Sequence, residues 1–253
     1  MAFQRFLHGG HHGHNDSSSA SLMHLIQGED WKLATMECRM NPKEAAMWST
    51  QPGFFDGIHD ARILPIHQAC ALQPPPEVIE ALIECHPAGI RSKESGFDRL
   101  PLHVACQTSA GADIIRVLLS YNGEASRTKD CLGRLPLHYA CSHRATPEVI
   151  SLLLDSFPAA AGVEDKNGWI ALHVACRFAA DPDVVRQLLE ILPGATMIKT
   201  LKGSTALSLA KKVKDGSTDE IIKVLEEAMK DDIDMNPTGS DVLPRKSGYA
   251  TTA

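Results

Sequence analysis

Apolar positions along the chain fall into two alternating kinds of segment. The first is short and nearly all apolar: Leu64-Pro-Ile-His-Gln-Ala-Cys70, Leu100-Pro-Leu-His-Val-Ala-Cys106, Leu135-Pro-Leu-His-Tyr-Ala-Cys141 and Ile170-Ala-Leu-His-Val-Ala-Cys176, with start-to-start separations of 36, 35 and 35 residues. Thr205-Ala-Leu-Ser-Leu-Ala210 is a decayed fifth copy, 35 residues further on. The second kind is amphipathic, as in Val149, Ile150, Leu153 and Leu154, whose spacing predicts a helix with one buried face. Self-similarity at this period predicts stacked units in place of a single closed core.

Each unit reads as a helical hairpin. Pro65, Pro101 and Pro136 open the short helix, where proline's preset φ helps and its missing N–H costs nothing. The second helix begins at Pro76-Glu-Val-Ile79, Asp113-Ile-Ile115, Pro147-Glu-Val-Ile150 and Pro182-Asp-Val-Val185, with a carboxylate at its positive end. It ends near Pro87, Gly123, Pro158 and Pro193. An irregular stretch follows, in which Gly133, Gly168 and Gly203 predict tight turns; Arg62 and Asp98 hold the equivalent positions in the first two copies. One such hairpin has too little apolar surface to bury alone, so neighbours must stack.

The period and the helix-opening segment together resemble the ankyrin repeat, whose signature is T-P-L-H-x-A over about 33 residues. The resemblance covers most of the chain. It departs in one respect: Leu or Ile stands where the signature has Thr in four copies, and Thr205 alone keeps it, so the capping role of the hydroxyl must be met otherwise or go unfilled. The resemblance implies an all-α solenoid with projecting finger loops. Its expected organisation is a His-, Gly- and Ser-rich flexible tail over 1–19, then a repeat domain over 20–230, then a flexible tail over 231–253. Within the domain we expect a divergent cap over 20–48, an extended loop over 49–62, and repeats over 63–98, 99–133, 134–168 and 169–203. A capping repeat over 204–230 completes it. In the first cap Leu22, Leu25 and Ile26 share one helical face, while Trp31, Leu33, Ala34 and Cys38 supply a second.

Composition narrows the function classes. With 43% hydrophobic and 22% charged residues the chain is an ordinary globular one, and a formal charge of -6 without a basic stripe argues against nucleic acid as the partner. The first residues match neither a signal peptide nor a spanning helix, so no membrane role is expected and a cytoplasmic or nuclear location is the default. Seven cysteines without a C-x-x-C pair make a disulfide framework improbable.

Candidate chemistry comes next. His67 and Cys70, His103 and Cys106, His138 and Cys141, and His173 and Cys176 lie one helical turn apart, a spacing that suits zinc. Stacked helices are roughly 8–10 Å apart, while zinc holds its ligands at about 2.0–2.3 Å, so the four pairs cannot share one ion. The histidines are therefore expected to bond backbone between repeats, with the cysteines as apolar filler. His8, His11, His12 and His14 among glycines suit either loose metal binding or a tail. Cys131, on a finger, has no basic cluster near it in sequence to activate it. Neither a nucleophile elbow, nor a zinc-protease motif, nor a phosphate loop is present, so no enzyme activity, cofactor, metal or small-molecule substrate is expected.

For recognition, the resemblance points to finger tips and the exposed side of the inner helices. These positions fall on Phe97, Arg99, Val104, Gln107 and Thr108; on Leu132, Arg134, Tyr139, Ser142 and His143; and on Asn167, Trp169, Val174, Arg177 and Phe178. Arg, Tyr and Trp are the side chains that dominate binding hot spots. Arg99, Arg134 and Trp169 are equivalent by position and are expected to form an exposed row. Phe54 and Phe55 either extend that surface or fold back on the first repeat. The expected role is a protein-binding adaptor or scaffold, monomeric when unbound; a regulatory subunit of an enzyme and a structural spacer remain the alternatives.

Overall fold

The computed structural model describes residues 21–235, apart from Asp56, Ile58 and Asp215. Its helices come in antiparallel pairs: α1 (Leu22–Gln27) with α2 (Trp31–Met40), α3 (Pro65–Leu72) with α4 (Pro76–Cys85), and α5 (Pro101–Gln107) with α6 (Ala112–Tyr121). They continue with α7 (Pro136–Ser142) and α8 (Pro147–Ser156), α9 (Ala171–Arg177) and α10 (Pro182–Ile191), and α11 (Ala206–Ala210) and α12 (Asp219–Met235). Odd-numbered helices pack on one another as an inner layer, and even-numbered helices pack as an outer layer. The result is an all-α solenoid. One hydrophobic cluster runs through it from Leu22 to Leu225.

The inner helices are too short to persist by propensity alone, since an isolated helix needs about 12–15 residues. Packing holds them instead: every residue from Pro101 to Cys106, and from Pro136 to Cys141, is buried. After α3, α5, α7 and α9 the chain reverses through a residue with positive φ, at Gln73, Ser109, Arg144 and Ala179 respectively. A non-glycine in this conformation costs about 1–2 kcal/mol. In three of the four the side chain offsets that cost by reaching the next repeat: Gln73 Nε2 donates to the Thr108 carbonyl, Ser109 Oγ to the His143 carbonyl at 2.8 Å, and Arg144 Nε to the Phe178 carbonyl at 3.0 Å.

Three sequence expectations change. The segment read as an extended loop over 49–62 contains an antiparallel hairpin, β1 (Ser49–Gln51) with β2 (Ala61–Ile63), in the register Ser49 to Ile63, Thr50 to Arg62 and Gln51 to Ala61. Its cause is a period-two pattern in β2, where Ala61 and Ile63 are buried and Arg62 is exposed. Leu33, assigned to the buried face of the first cap, is 47% exposed, because α2 turns Ala34 and Cys38 toward α4. Finally, α12 runs to Met235, past the expected end of the domain. The tail expected over 1–19 and the chain from 236 onward, including the four clustered histidines, lie outside the described residues.

Candidate partner-binding face

The scaffold beneath the face begins with the four histidines. Each Nδ1 accepts the N–H of the residue just before its helix: Leu64 to His67 at 3.2 Å, Leu100 to His103 at 3.1 Å, Leu135 to His138 at 3.2 Å and Ile170 to His173 at 3.2 Å. This supplies half of a capping box without Thr. Thr205, which keeps the signature residue, makes the reciprocal box with Ser208. Because Nδ1 accepts, the proton sits on Nε2, which donates to carbonyls ahead: Ser92 at 3.0 Å, Arg134 at 3.3 Å, Trp169 at 3.1 Å and Ile198 at 3.0 Å respectively. Both ring nitrogens are thus occupied by backbone. Burial holds all four rings below the ordinary histidine range, to about 4 for His67 and His103. Cys70, Cys106, Cys141 and Cys176 are buried, and burial pushes their thiols up, to about 12 for Cys141. Among the described residues no group of three or more His, Cys, Asp or Glu is placed to hold a metal ion.

The fingers rest on side chains that escaped the sequence reading. Asp130 Oδ1 accepts the N–H groups of Leu132 and Arg134 at 2.9 and 2.8 Å, and Asp165 Oδ1 those of Asn167 and Trp169 at 2.8 and 3.0 Å. Thr200 Oγ1 accepts from Ser204 at 3.1 Å in the last finger. In the finger before α5 the turn is one residue longer, and Glu94, one methylene longer than Asp, accepts from Phe97 and Arg99 at 2.8 and 2.9 Å. The longer repeat interval and the longer carboxylate go together, and Asp98 takes the positive φ that glycine has elsewhere. The signal was available as the spacing of Glu94, Asp130, Asp165 and Thr200. Successive fingers are joined by backbone: Cys131 N–H to Phe97 at 2.9 Å, Lys166 N–H to Leu132 at 3.0 Å and Leu201 N–H to Asn167 at 3.1 Å.

The expected exposed row of Arg99, Arg134 and Trp169 is not uniform. Arg99 is buried. Its guanidinium lies 4.4 Å from the Phe97 ring centre, 4.6 Å from Phe55 and 4.6 Å from Tyr139. It donates to Gln107 Oε1 at 2.7 Å and to the Tyr139 hydroxyl at 2.8 Å, and pairs with Asp130 at 3.5 Å. Tyr139, expected on the surface, is buried with it and donates to Asp130 Oδ2 at 2.6 Å. Burial raises its phenol to about 12. Val104 and Val174 are likewise buried, since their positions on seven-residue helices face the neighbouring repeat. Phe55 folds back and meets Phe97 edge-on at 5.5 Å, with Phe54 behind it at 4.6 Å.

The surface opens in the following repeats. Arg134 pairs through Nε with Asp165 at 3.2 Å while 36% of its side chain stays exposed. Trp169 is half-buried, with its ring edge-on to His173 at 6.3 Å. Leu132 and Phe97 are half-buried on the finger tips. His143 and Arg177 are exposed, Phe178 is 48% exposed, and the Arg177 guanidinium stands 5.9 Å from the Phe178 ring. Cys131 is half-buried, and burial raises its thiol above the ordinary range, the direction opposite to that of an activated cysteine. Among the described residues no helix is long and apolar enough to cross a membrane.

Residues 66–160 match a family model described as ankyrin repeats in three copies, and residues 167–197 match the single ankyrin-repeat model. No curated protein matches the chain.

Proposed function

Since the chain belongs to the ankyrin-repeat family, whose members are generally protein-interaction modules and typically non-catalytic, we propose that it binds a partner protein as an adaptor or scaffold. The observation that carries the reading is the open stretch of Arg134, Trp169, Arg177 and Phe178 on adjoining repeats, which puts aromatic area beside guanidinium groups on a rigid support. His143 and Leu132 border it, while Phe97, Gln107, Arg99 and Tyr139 act behind it by shaping the neighbouring finger. On this reading the unbound chain is a monomer that takes no cofactor or small-molecule substrate.

The test is capture of partners by the wild-type chain and by the Trp169→Ala/Phe178→Ala variant, compared by mass spectrometry. Proteins retained by the first and lost by the second support the reading. Identical sets from both contradict it. Adding the chain to a captured enzyme then separates adaptor from regulator, since only a regulator changes the rate.

A further inference from the structure

Charge is sorted across this stack. From the finger before α7 onward, the finger tips and inner-helix segments, residues 131–134, 136–144, 166–169, 171–179, 201–204 and 206–214, contain no Asp or Glu. They carry Arg134, Arg144, Lys166, Arg177 and Lys202, each wholly or partly exposed. The outer helices α4, α6, α8, α10 and α12, taken together, have acidic residues in excess of basic ones. In a chain with a formal net charge of -6, the face opposite the outer layer therefore has the contrary sign.

Pairing separates these cations further. Arg134 is bonded to the buried Asp165, and on the outer layer Arg116 pairs with Asp113 and Glu148 and Arg186 with Asp183 and Glu220. Arg144 and Arg177 have no ion pair among the described residues. They sit at the ends of adjoining inner helices, where Arg144 Nε donates to the Phe178 backbone carbonyl at 3.0 Å and the Arg177 guanidinium stands 5.9 Å from the exposed Phe178 ring. A cluster of one sign repels itself in the free protein, and an anionic ligand relieves that repulsion as it gains its own contacts.

We infer that this face takes an acidic segment of its partner protein, with Asp or Glu side chains on Arg144, Arg177 and Lys202 and interleaved apolar side chains against Trp169, Phe178 and Leu201. The inference rests on the protein-binding reading above and adds the chemistry of the partner. Exposed apolar area, with Phe178 at 48% and Leu201 at 69%, suits a peptide better than a polyphosphate backbone. The net negative charge and the acidic outer layer also oppose long-range attraction of nucleic acid.

The experiment selects a random twelve-residue phage-displayed peptide library on the full chain at about 0.15 M salt, near the physiological ionic strength. Enriched peptides are then synthesised and titrated by fluorescence anisotropy. The expected peptides combine Asp or Glu with aromatic or aliphatic residues. Their affinity should fall about tenfold or more in Arg144→Glu/Arg177→Glu, and peptides with Lys in place of the acids should regain it. Arg177→Glu/Lys202→Glu, whose side chains make no hydrogen bond among the described residues, unlike Arg144, gives the same direction if Arg144→Glu perturbs folding.

Enriched peptides that are neutral or basic, yet lost in Trp169→Ala/Phe178→Ala, overturn the acidic assignment and leave the face a protein-binding surface. Peptides indifferent to all of these substitutions overturn both. A fluorescein-labelled single-stranded RNA of about twenty nucleotides that binds more tightly than the best peptide, and is lost in the charge reversals, assigns the face to nucleic acid instead.

Discussion

The finger before α5 and the finger before α9 share one frame and are finished in opposite ways. In both, a carboxylate, Glu94 or Asp165, gathers the turn's N–H groups, and backbone bonds join the finger to its neighbour. Two residues before the helix the first has Arg99 and the second Trp169. Arg99 is enclosed by Phe55, Phe97 and Tyr139 and anchored to Asp130, so that end of the groove is sealed by the protein's own cation. Trp169 has no such cage and keeps part of its ring in solvent. Equivalent position therefore guarantees equivalent backbone, and the neighbours decide whether a side chain is structure or surface.

Acid should erase the comparison altogether, because it attacks the frame under both fingers. His67 and His103 titrate near 4 when folded and near 6.5 when unfolded, so the unfolded chain binds more protons as the solution is acidified. Their contribution is whole above about pH 6.5 and is lost as pH falls toward 4. For the two together the loss by pH 4.5 is on the order of 5 kcal/mol. Urea unfolding at pH 7.5 and 4.5 measures it, and equal midpoints would contradict the burial of these rings.

Next in size is Arg99→Ala, which leaves Asp130 charged, buried and short of its cation; about 3–5 kcal/mol of stability should go. The Gly168→Ala substitution follows. Gly168 has φ of 72° and an added Cβ would stand 2.8 Å from Leu201 N, so conformational strain and a clash with the next finger add to about 2–4 kcal/mol. Gly203→Ala, with φ of 75° and nothing within 4 Å of its Cβ, carries the strain alone, about 1–2 kcal/mol. Trp169→Ala should cost no more than about 1–2 kcal/mol of folding stability, since only part of the ring is buried, while removing partner binding. Thermal or urea unfolding of all four ranks them, and a Trp169→Ala loss as large as that of Arg99→Ala would end the distinction between the two fingers.

Much of the frame could be read in advance from local features. The prolines at Pro65, Pro101 and Pro136, the recurring His-x-x-Cys pairs and the glycines at Gly133, Gly168 and Gly203 each express a constraint within a few residues of themselves. The hairpin of β1 and β2 was harder to see, because three-residue strands hold too little alternation to stand out from a loop. The candidate face was legible only in part. Arg134, Trp169, Arg177 and Phe178 stand where repeat alignment puts them, but Arg99 and Tyr139 turn inward.

By itself the sequence determined the period, the order of helices and the identity of the repeating frame, since each depends on short-range sterics, capping and the need of one hairpin to bury its apolar side on the next. Only the tertiary structure decided which repeated positions reach solvent. Arg99 is enclosed by Phe55, which is 44 residues away, and by Tyr139, which is 40 residues away, so its burial depends on contacts that no repeat register encodes.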